Sequence, residues 1–260
     1  QIAEVIFVKK VKDLYGGKIK YPEIREGHTF FYRPPAYIKF HTEYFQNVLR
    51  TVASSEFEID GGGVVSKPPA IFKMNIEVSG NKYQFGKGGL HTKEKSICHV
   101  ADDIYELMDI DVVSFYPFLM MSFDIYPEGV GPEFKKLLRA IVNQRIDAKR
   151  NKHVVTAEGL KIVVNGSFGK TLEPNSILYQ PELGIQTTLT GQLLLLMLIE
   201  RYELCGFSVL SANTDGIVLK IDRARSSLAD AIRKEWEVET GLEMEKTNYS
   251  AIYSRDVNNY

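Results

Sequence analysis

The sequence predicts an α+β protein, and two patterns support this fold class. Runs of β-prone residues separated by Pro and Gly fill much of the first hundred positions, and two further runs surround Ala212–Gly216. Elsewhere, apolar residues recur at helical spacing over several long stretches. The Asn-Thr-Asp-Gly sequence inside Ala212–Gly216 is typical of a hairpin tip, so we expect antiparallel strand pairing there.

The composition is that of an ordinary globular protein. The 260 residues are 44% hydrophobic and 25% charged, which excludes a disordered or fibrous chain and fits one large domain or two small ones. The longest apolar run, Leu193–Ile199, is much shorter than the ~20 residues of a membrane-spanning helix. Cys98 and Cys205 form no CxxC or Cys/His cluster, which predicts a reducing compartment and no structural zinc. Because the chain begins with Gln1 rather than Met, we expect a fragment.

Charge is divided into two adjacent blocks of opposite sign. Residues 101–128 contain seven acids and no Lys or Arg, whereas residues 132–170 contain nine bases and three acids. The simplest interpretation is a solvated basic helix beside an acidic loop. The alternative is a cation-collecting site beside an anion-collecting site, as phosphate chemistry with Mg²⁺ requires. The net charge of −1 weighs against a nucleic-acid binder, but it conceals these blocks.

The first half of the chain is predicted to contain mainly short strands. The β-prone runs are Glu4–Val8, Thr29–Tyr32, Ala36–Phe40, Ile71–Phe85 and Tyr105–Ile110. One helix is predicted over Thr42–Ala53. The triple glycine at 61–63 and the double proline at 68–69 indicate a turn or boundary.

The second half is predicted to be mainly helical. The four helices are Glu133–Lys152, a helix capped by Thr156 and ending near Gly169, Thr187–Glu203, and one from Ser226 or Ser227 to Thr240. Gly206 and Gly241 are placed to end the last two. Phe207–Ser211 and Ile217–Ile221 are the strands of the hairpin, and a further β-prone stretch ends the chain.

Two carboxylates and three cations are the candidate chemical groups. Asp215 lies at the hairpin tip, where Asx-Gly is also ordinary turn chemistry, and Asp111 follows a strand, where it could cap a helix. Arg145 and Lys149 share one helical face, and this like-charge pair is better explained by a bound anion. If the next helix packs antiparallel, Lys161 joins them, which suits a triphosphate. Two solvated basic helices explain the same residues equally well.

Taken together, segments of the chain resemble the ordered motifs of family B DNA polymerases. Asp111–Pro117 matches DxxSxYP, Lys161–Gly169 is similar to KxxxNSxYG with Gly166 and Phe168 replacing Ser and Tyr, and Ala212–Gly216 is similar to the YGDTDS hairpin. Arg145 and Lys149 match an Arg-x-x-x-Lys pair, Gly88–His91 resembles the glycine pair before the palm of phage-type members, and Asp256–Tyr260 falls where the family has KKRY. The resemblance extends from about residue 70 to the C-terminus.

The resemblance implies a polymerase palm, with an antiparallel sheet backed by helices and a two-helix antiparallel fingers insertion. The implied segments are an N-terminal linking region over 1–66, palm over 67–126, fingers over 127–169 and palm over 170–260, leading toward a missing thumb. It also implies two Mg²⁺ ions, or Mn²⁺, held by Asp111, the carbonyl of Val112 and Asp215. Carboxylate and carbonyl oxygens are the ligands that these ions prefer.

The resemblance further implies how the substrates bind. Nucleotide contacts fall to Ser114, Phe115, Tyr116, Arg145, Lys149, Lys161 and Asn165, with Tyr116 as the gate that excludes a 2′-hydroxyl. Base-pair or template contacts fall to Phe168, Gly169, Gly88 and Gly89, and a primer contact falls to Tyr260. Asn213 replaces the first Asp of the hairpin, and the second, Asp215, remains.

These features predict a DNA-directed DNA polymerase acting in replication, encoded by a phage or mobile element. The implied partners are primer–template DNA, dNTP and a terminal protein or processivity factor, without a membrane, in the host cytoplasm. The alternative is a catalytically silent polymerase-like domain that binds nucleic acid, which Asn213 supports and the Asp111–Asp215 pair opposes. The YxDD or GDD hairpin of reverse transcriptases and RNA polymerases is absent.

Overall fold

The computed structural model describes residues 2–14, 16–17, 19–93 and 96–254. The α-helices in this part of the chain are α1 (Ile2–Leu14), α2 (Glu43–Ser54), α3 (Pro69–Phe72), α4 (Phe115–Ser122), α5 (Phe134–Arg150), α6 (Val154–Thr171), α7 (Pro181–Leu204) and α8 (Ser226–Thr240). The strands are β1 (Thr29–Phe31), β2 (Glu56–Glu58), β3 (Ile76–Val78), β4 (Asn81–Phe85), β5 (Leu90–Thr92), β6 (Ile97–Val100), β7 (Tyr105–Val112), β8 (Ser208–Asn213), β9 (Gly216–Asp222), β10 (Met244–Tyr249) and β11 (Ala251–Ser254).

These elements form two compact units. The first unit comprises the residues up to Tyr32, Glu56–Lys67 and Tyr116–Thr187, and the second comprises Arg33–Ser55, Pro68–Phe115 and the residues from Thr188 onward. The four predicted segments divide the chain differently and stay a prediction.

The first unit is built around a helical core. Apolar residues of α1, α4, α5 and α6 are buried together. In α5 the buried residues Phe134, Leu138, Ile141 and Val142 recur at three- and four-residue spacing on one face. Phe7 of α1 stacks on Phe134 of α5 with ring centroids 5.7 Å apart. The core consists of Phe7, Val11, Met120, Val130, Phe134, Leu138, Ile141, Val142, Val163, Val164, Ile177, Leu178 and Leu183.

The second unit contains a seven-stranded sheet in the order β10-β7-β9-β8-β5-β4-β3. Every neighbouring pair in this sheet is antiparallel, which confirms the predicted antiparallel sheet. A second, two-stranded ribbon pairs β6 with β11. The strands β8 and β9 form the hairpin that the sequence predicts around Thr214 and Asp215.

In the second unit, the part of α7 from Thr188 onward packs against α8, and these helices back the sheet. Trp236 of α8 is fully buried and donates its indole N–H to the carbonyl of Leu194, at 3.1 Å. Tyr202 of α7 donates its hydroxyl to the carbonyl of Ala229, at 3.0 Å. Helix α8 ends as predicted, with Gly241 in the left-handed conformation at φ 70° that glycine adopts without penalty.

Judged by length and composition alone, helix α7 could cross a membrane. No other helix in the described part of the chain meets this criterion. In the folded protein, 94% of its most apolar 18-residue window is buried. This is the burial pattern of a helix at the centre of a protein core, where apolar residues on all faces are covered by protein.

Several predicted elements were wrong. Glu4–Val8 is helical rather than extended, because Phe7 and Val11, four residues apart, reach the core of the first unit together, and packing of this kind overrides strand propensity. Ala36–Phe40 forms no strand. Helix α6 begins at Val154, so Thr156 is not its cap, and α7 begins at Pro181 rather than Thr187.

Candidate active site

The tip of the β8–β9 hairpin is a tight turn with a strained residue. Thr214 has a φ of +57°, a conformation that β-branched residues rarely adopt. The amide of Thr214 donates to the carbonyl of Leu90 at 2.9 Å, and the amide of Asp215 donates to the carbonyl of Asn213 at 2.6 Å. These bonds hold the turn in place and present the exposed side chain of Asp215 at its tip.

Asp111 lies one residue before the end of β7, directly against this hairpin. In the β7–β9 register Asp111 lies opposite Gly216, and the amide of Val112 donates to the carbonyl of Asp215 at 2.8 Å. A Cβ atom placed on Gly216 would lie 1.9 Å from Oδ1 of Asp111. The absent side chain of Gly216 therefore makes the space in which the carboxylate of Asp111 lies, one residue from Asp215.

Both carboxylates line a cavity of about 420 Å³, which we term the carboxylate cavity. Its walls come from the strands β7, β8, β9 and β10 together with β11. The lining residues are Asp109, Asp111, Ser211, Asn213, Asp215, Gly216, Val218, Tyr249, Ala251, Ile252 and Tyr253. The cavity combines three acids with apolar and aromatic walls, which is the usual character of a ligand site.

Asp109 is a third acid in this cavity. It lies two residues before Asp111 on the same strand and so shares its face. The pKa of Asp109 is raised to about 6, mainly by burial and then by the negative charges of Asp111 and Asp215. Within the described residues, the groups acting on Asp109 include no cation, so a bound cation would relieve the repulsion that this cluster builds up.

Glu245 adds a fourth carboxylate beside the cavity. It lies opposite Asp111 in the β10–β7 register and is exposed. Loss of solvent around the carboxyl is the main cause that raises the pKa of Asp111, and the negative charge of Glu245 is the second. The site therefore favours whatever neutralises negative charge, either protons or cations.

The oxygen ligands in the cavity suit a hard divalent cation whose remaining coordination positions are filled by the substrate. Among the residues that the structure describes, no group of three or more His, Cys, Asp or Glu side chains converges closely enough to hold a metal ion. Mg²⁺ is usually bound through one or two carboxylates, with water and substrate phosphates supplying the other ligands. Asp111 and Asp215 fit this arrangement, because both line the cavity and both are exposed.

A strained turn follows β7 and begins α4. Ser114 has a φ of +51°, and the amide of Val113 donates to the carbonyl of Glu243 at 2.8 Å. Helix α4 starts at Phe115, directly after this turn. Ser114 and Phe115 are the residues predicted to contact phosphates, and that contact stays a prediction.

Tyr116 lies in the first unit, against the aromatic ring predicted to contact a base pair. Its ring centroid is 4.4 Å from that of Phe168, with the ring planes inclined at 52°. Tyr116 and Phe168 are both half-buried. The structure therefore brings together the two rings that the sequence assigns to the sugar and to the base pair.

The predicted cations lie on the helices α5 and α6, which we term the basic helix pair. The two helices share the apolar core of the first unit through Leu138, Ile141 and Val142 of α5 and Val163 and Val164 of α6. Lys149, Lys161 and Asn165 are exposed, and Arg145 is half-buried. Gly169 is also exposed, with open space where a Cβ would lie. Convergence of the three cations on one point stays a prediction.

The segment Gly86–Gly89, which we term the glycine turn, packs against the hairpin tip. A Cβ on Gly89 would lie 2.7 Å from Cα of Thr214, so only glycine permits this approach. Gln192 of α7 accepts from the amide of Gly86 at 2.9 Å and donates to its carbonyl at 3.0 Å. Gly88 is exposed. Gly89 thus supports the hairpin, and its predicted template contact is untested.

The site contains functional candidates that the sequence reasoning did not identify. Asp109 could have been found, because alternation along a strand places it on the face of Asp111. Glu245 and Gln192 carry no such signal, since they meet the site only through strand pairing and helix packing. Tyr260, the predicted primer contact, lies outside the described residues, as does the KKRY-like segment from 256.

Comparisons with known proteins find a distant likeness among solved structures. No protein-family model matches the sequence, and no curated protein matches it. Among solved structures, the chain is similar to the family B DNA polymerase from the hyperthermophilic archaeon Pyrobaculum calidifontis, with a TM-score of 0.48 and 18% sequence identity. The similarity covers 68% of this chain and 27% of that polymerase chain, so the matched region is about a quarter of that protein.

Proposed function

We propose that this chain is the catalytic part of a DNA-directed DNA polymerase, which adds dNTPs to the 3′-hydroxyl of a primer. The observation that carries the proposal is the position of the Asp111 carboxylate, which occupies the space left by Gly216 and lies beside Asp215 in the carboxylate cavity. One carboxylate near the end of a strand and another at the tip of the neighbouring hairpin, with further acids beside them, favour a reaction in which charge on transferring phosphates must be neutralised by cations.

Asp111, Asp215 and the carbonyl of Val112 would hold two Mg²⁺ ions, or Mn²⁺. Bound there, such ions supply Lewis-acid stabilisation of the attacking and leaving oxygens of phosphoryl transfer. The residues of the chain fix where this happens. Strand pairing holds Asp111 opposite Gly216, and the Val112–Asp215 hydrogen bond joins the strand end to the hairpin tip.

We propose nucleotide contacts for the turn after β7 and, separately, for the basic helix pair. Ser114 and Phe115 would donate backbone N–H groups to the phosphates of the incoming nucleotide, and Arg145, Lys149, Lys161 and Asn165 would add side-chain donors. Tyr116 would lie under the sugar and exclude a 2′-hydroxyl. The contact of Tyr116 with Phe168 supports this role, because a ring held by another ring makes a firm steric barrier.

The remaining contacts would belong to the DNA. Phe168, Gly169, Gly88 and Gly89 would meet the nascent base pair or the template strand, and Tyr260 would contact the primer. A terminal protein or processivity factor and a phage or mobile-element origin, with action in the host cytoplasm, complete the proposal and rest on the motif resemblance alone.

Primer extension with Mg²⁺ tests this function directly. Wild-type protein should extend an annealed primer, and Asp215→Asn should lower the rate about 10³-fold, the equivalent of several kcal/mol of lost cation stabilisation. Asp103→Asn is the matched control, because Asp103 is an exposed acid outside the cavity lining. Extension that survives the loss of Asp215 would sink the assignment of this carboxylate.

A second candidate function is a silent polymerase-like domain that binds nucleic acid without chemistry. Asn213, which carries no charge where an acid would strengthen cation binding, is the observation in its favour. The same experiment separates the two functions. DNA binding by the wild-type protein without extension in Mg²⁺ or Mn²⁺ would favour the silent domain, whereas Asp215-dependent extension would exclude it.

A further inference from the structure

One row of residues crosses five strands of the sheet. Glu245 of β10 lies opposite Asp111 of β7, which lies opposite Gly216 of β9, which lies opposite Asn213 of β8, which lies opposite His91 of β5. Side chains directly opposed across antiparallel strands lie on the same face of the sheet. His91 is therefore on the face that bears the carboxylate cavity, although it is not among the residues that line it.

Charge changes along this row. Glu245 and Asp111 are acids, Gly216 has no side chain, Asn213 is neutral and His91 is a hydrogen-bond donor that can carry positive charge. One end of the row therefore suits a cation, and the other end suits an anion. An acidic residue in place of Asn213 would extend the negative charge toward His91 and repel an anion bound there.

The imidazole of His91 has unused hydrogen-bonding capacity. Within the described residues it makes no hydrogen bond, and its Nδ1 is buried without a partner. A buried N–H without an acceptor costs about 1–3 kcal/mol, so the neutral ring favours the tautomer in which Nδ1 carries no proton. The Nε2–H group is then the free donor of this half-buried ring.

Asn213 also presents a donor. Its side-chain oxygen accepts the hydroxyl of Thr214 at 3.2 Å, which orients the amide and leaves its NH₂ group for another acceptor. Two neutral donors on adjacent strands, Asn213 and His91, thus lie next to each other at the end of the row that has no acid.

The position of His91 is firmly fixed. The glycine turn before it is held on one side by the two hydrogen bonds between Gly86 and Gln192, and on the other by the close packing of Gly89 on Thr214. A Cβ on Gly86 would lie 3.5 Å from Cδ2 of His91, so the ring edge also packs on this turn. Groups held in this way bind a ligand with little loss of conformational freedom.

We propose that His91 and Asn213 form a subsite for a phosphodiester of bound DNA. Adjacent strands are about 4.8 Å apart, so the three spacings from β7 to β5 place His91 about 14 Å from Asp111. One DNA strand rises about 3.4 Å per nucleotide, so the bound linkage lies within about four nucleotides of the reacting end. This inference rests on the proposed function, because Asp111 marks that end only if the carboxylate cavity is the polymerase site.

Neutral backbone linkages test the subsite. Binding of a fluorescent primer–template duplex is measured in Ca²⁺ by anisotropy, with a single methylphosphonate placed at each of the first five linkages from the primer end, in either the primer or the template. Wild-type protein should bind about tenfold more weakly when the methylphosphonate replaces one particular linkage, as expected for the loss of a hydrogen bond to a charged group. His91→Ala should bind unmodified DNA about tenfold more weakly and show no further loss at that linkage.

The strand in which the sensitive linkage lies identifies the source of the phosphate. His91→Gln, which keeps an N–H donor, should recover part of the affinity, and this distinguishes a hydrogen bond from a packing role. His41→Ala is the matched control, since His41 is exposed in the same unit and does not line the cavity. Thermal unfolding of each variant verifies that it is folded.

Two results would overturn the subsite: wild-type affinity for unmodified DNA in His91→Ala, or equal sensitivity of wild type and His91→Ala to every modified linkage. Extension by the wild-type protein on unmodified DNA reports the proposed function separately. A protein that extends primers without any dependence on His91 contradicts the subsite alone. A protein that binds DNA through His91 but never extends it contradicts the polymerase proposal alone.

Discussion

The carboxylate cavity and the basic helix pair fix their charged side chains by different means. In the cavity, strand register and the missing side chain of Gly216 place Asp111 against the hairpin. On the helices, Lys149 and Lys161 extend from exposed faces, and only the apolar core beneath them fixes their backbone. Acids that must share small cations need accurate placement, whereas long cationic side chains can adjust to a triphosphate.

This difference predicts unequal tolerance to substitution. Small steric changes in the cavity should abolish activity without unfolding the protein, because the backbone register is held by many other hydrogen bonds. Charge changes on the helices should have graded effects on nucleotide affinity. Three substitutions, in order of decreasing effect, examine the comparison.

Gly216→Ala should have the largest effect. The added methyl group would lie 1.9 Å from Oδ1 of Asp111, so the carboxylate must move, and displacement of a catalytic group by about 1 Å costs roughly 10²-fold in rate. Single-turnover primer extension measures the loss. Gly159→Ala on α6 is the control, since its Cβ meets open space and should leave the rate unchanged. A Gly216→Ala protein with wild-type rate would show that the position of Asp111 is not critical.

Lys161→Ala should have an intermediate effect. Loss of one charge-assisted contact to the triphosphate should raise the KM for dNTP about tenfold or more, with the fold unaffected because Lys161 is exposed. Lys161→Arg should retain most of the affinity, since the side chain is free to adjust. Lys136→Ala serves as control, because Lys136 is an exposed lysine on α5 outside the predicted contacts. An unchanged KM in Lys161→Ala would remove this lysine from the nucleotide site.

Asp109→Asn should have the smallest effect, and it concerns stability. The pKa of Asp109 is raised to about 6 in the folded protein, above its ordinary value near 3.9. Folding therefore favours the protonated form, and above pH 6 the ionised carboxylate destabilises the fold. Without divalent cations, Asp109→Asn should raise the free energy of unfolding by about 1–2 kcal/mol at pH 7.5.

The pH dependence of that gain is its signature. The difference between wild type and Asp109→Asn should shrink as the pH falls through 6 and vanish below about pH 4, where the carboxyl is protonated in both states. Urea unfolding in EDTA at several pH values measures it, with Asp103→Asn as the charge-matched control. A loss of stability in Asp109→Asn at pH 7.5 would mean that the ionised carboxylate has a favourable partner.

Local sequence chemistry predicted part of the fold. Helix α2 begins after Thr42, whose side chain accepts from the amide of Phe45, and α8 ends at Gly241. These signals lie within a few residues of the element that they delimit. Helix α1 was mispredicted because its Phe7 packs against Phe134 of α5, which is distant in the sequence. The predicted start of α7 at Thr187 was too late, although a proline at the first helical position, here Pro181, is itself a start signal.

The same distinction applies to the candidate site. Asp111 and Asp215 follow from short motifs, and Asp109 was not predicted, although strand alternation places it on the face of Asp111. Glu245 and His91 enter only because β10 and β5 pair into the sheet at one particular register. A shift of one residue would place either side chain on the other face, and nothing local to β5 or β10 sets that register.

Binding of Mn²⁺ is the most direct test of the central claim, that Asp111 and Asp215 hold the divalent cations of nucleotidyl transfer. Electron paramagnetic resonance titrations would be made with a primer–template ending in a dideoxynucleotide and the matching dNTP, so that no chemistry occurs. Wild type and Asp103→Asn should bind Mn²⁺ more tightly when the dNTP is present, and the Asp111→Asn, Asp215→Asn double variant should lose this dNTP-dependent binding. Unchanged Mn²⁺ binding in the folded double variant would contradict the account.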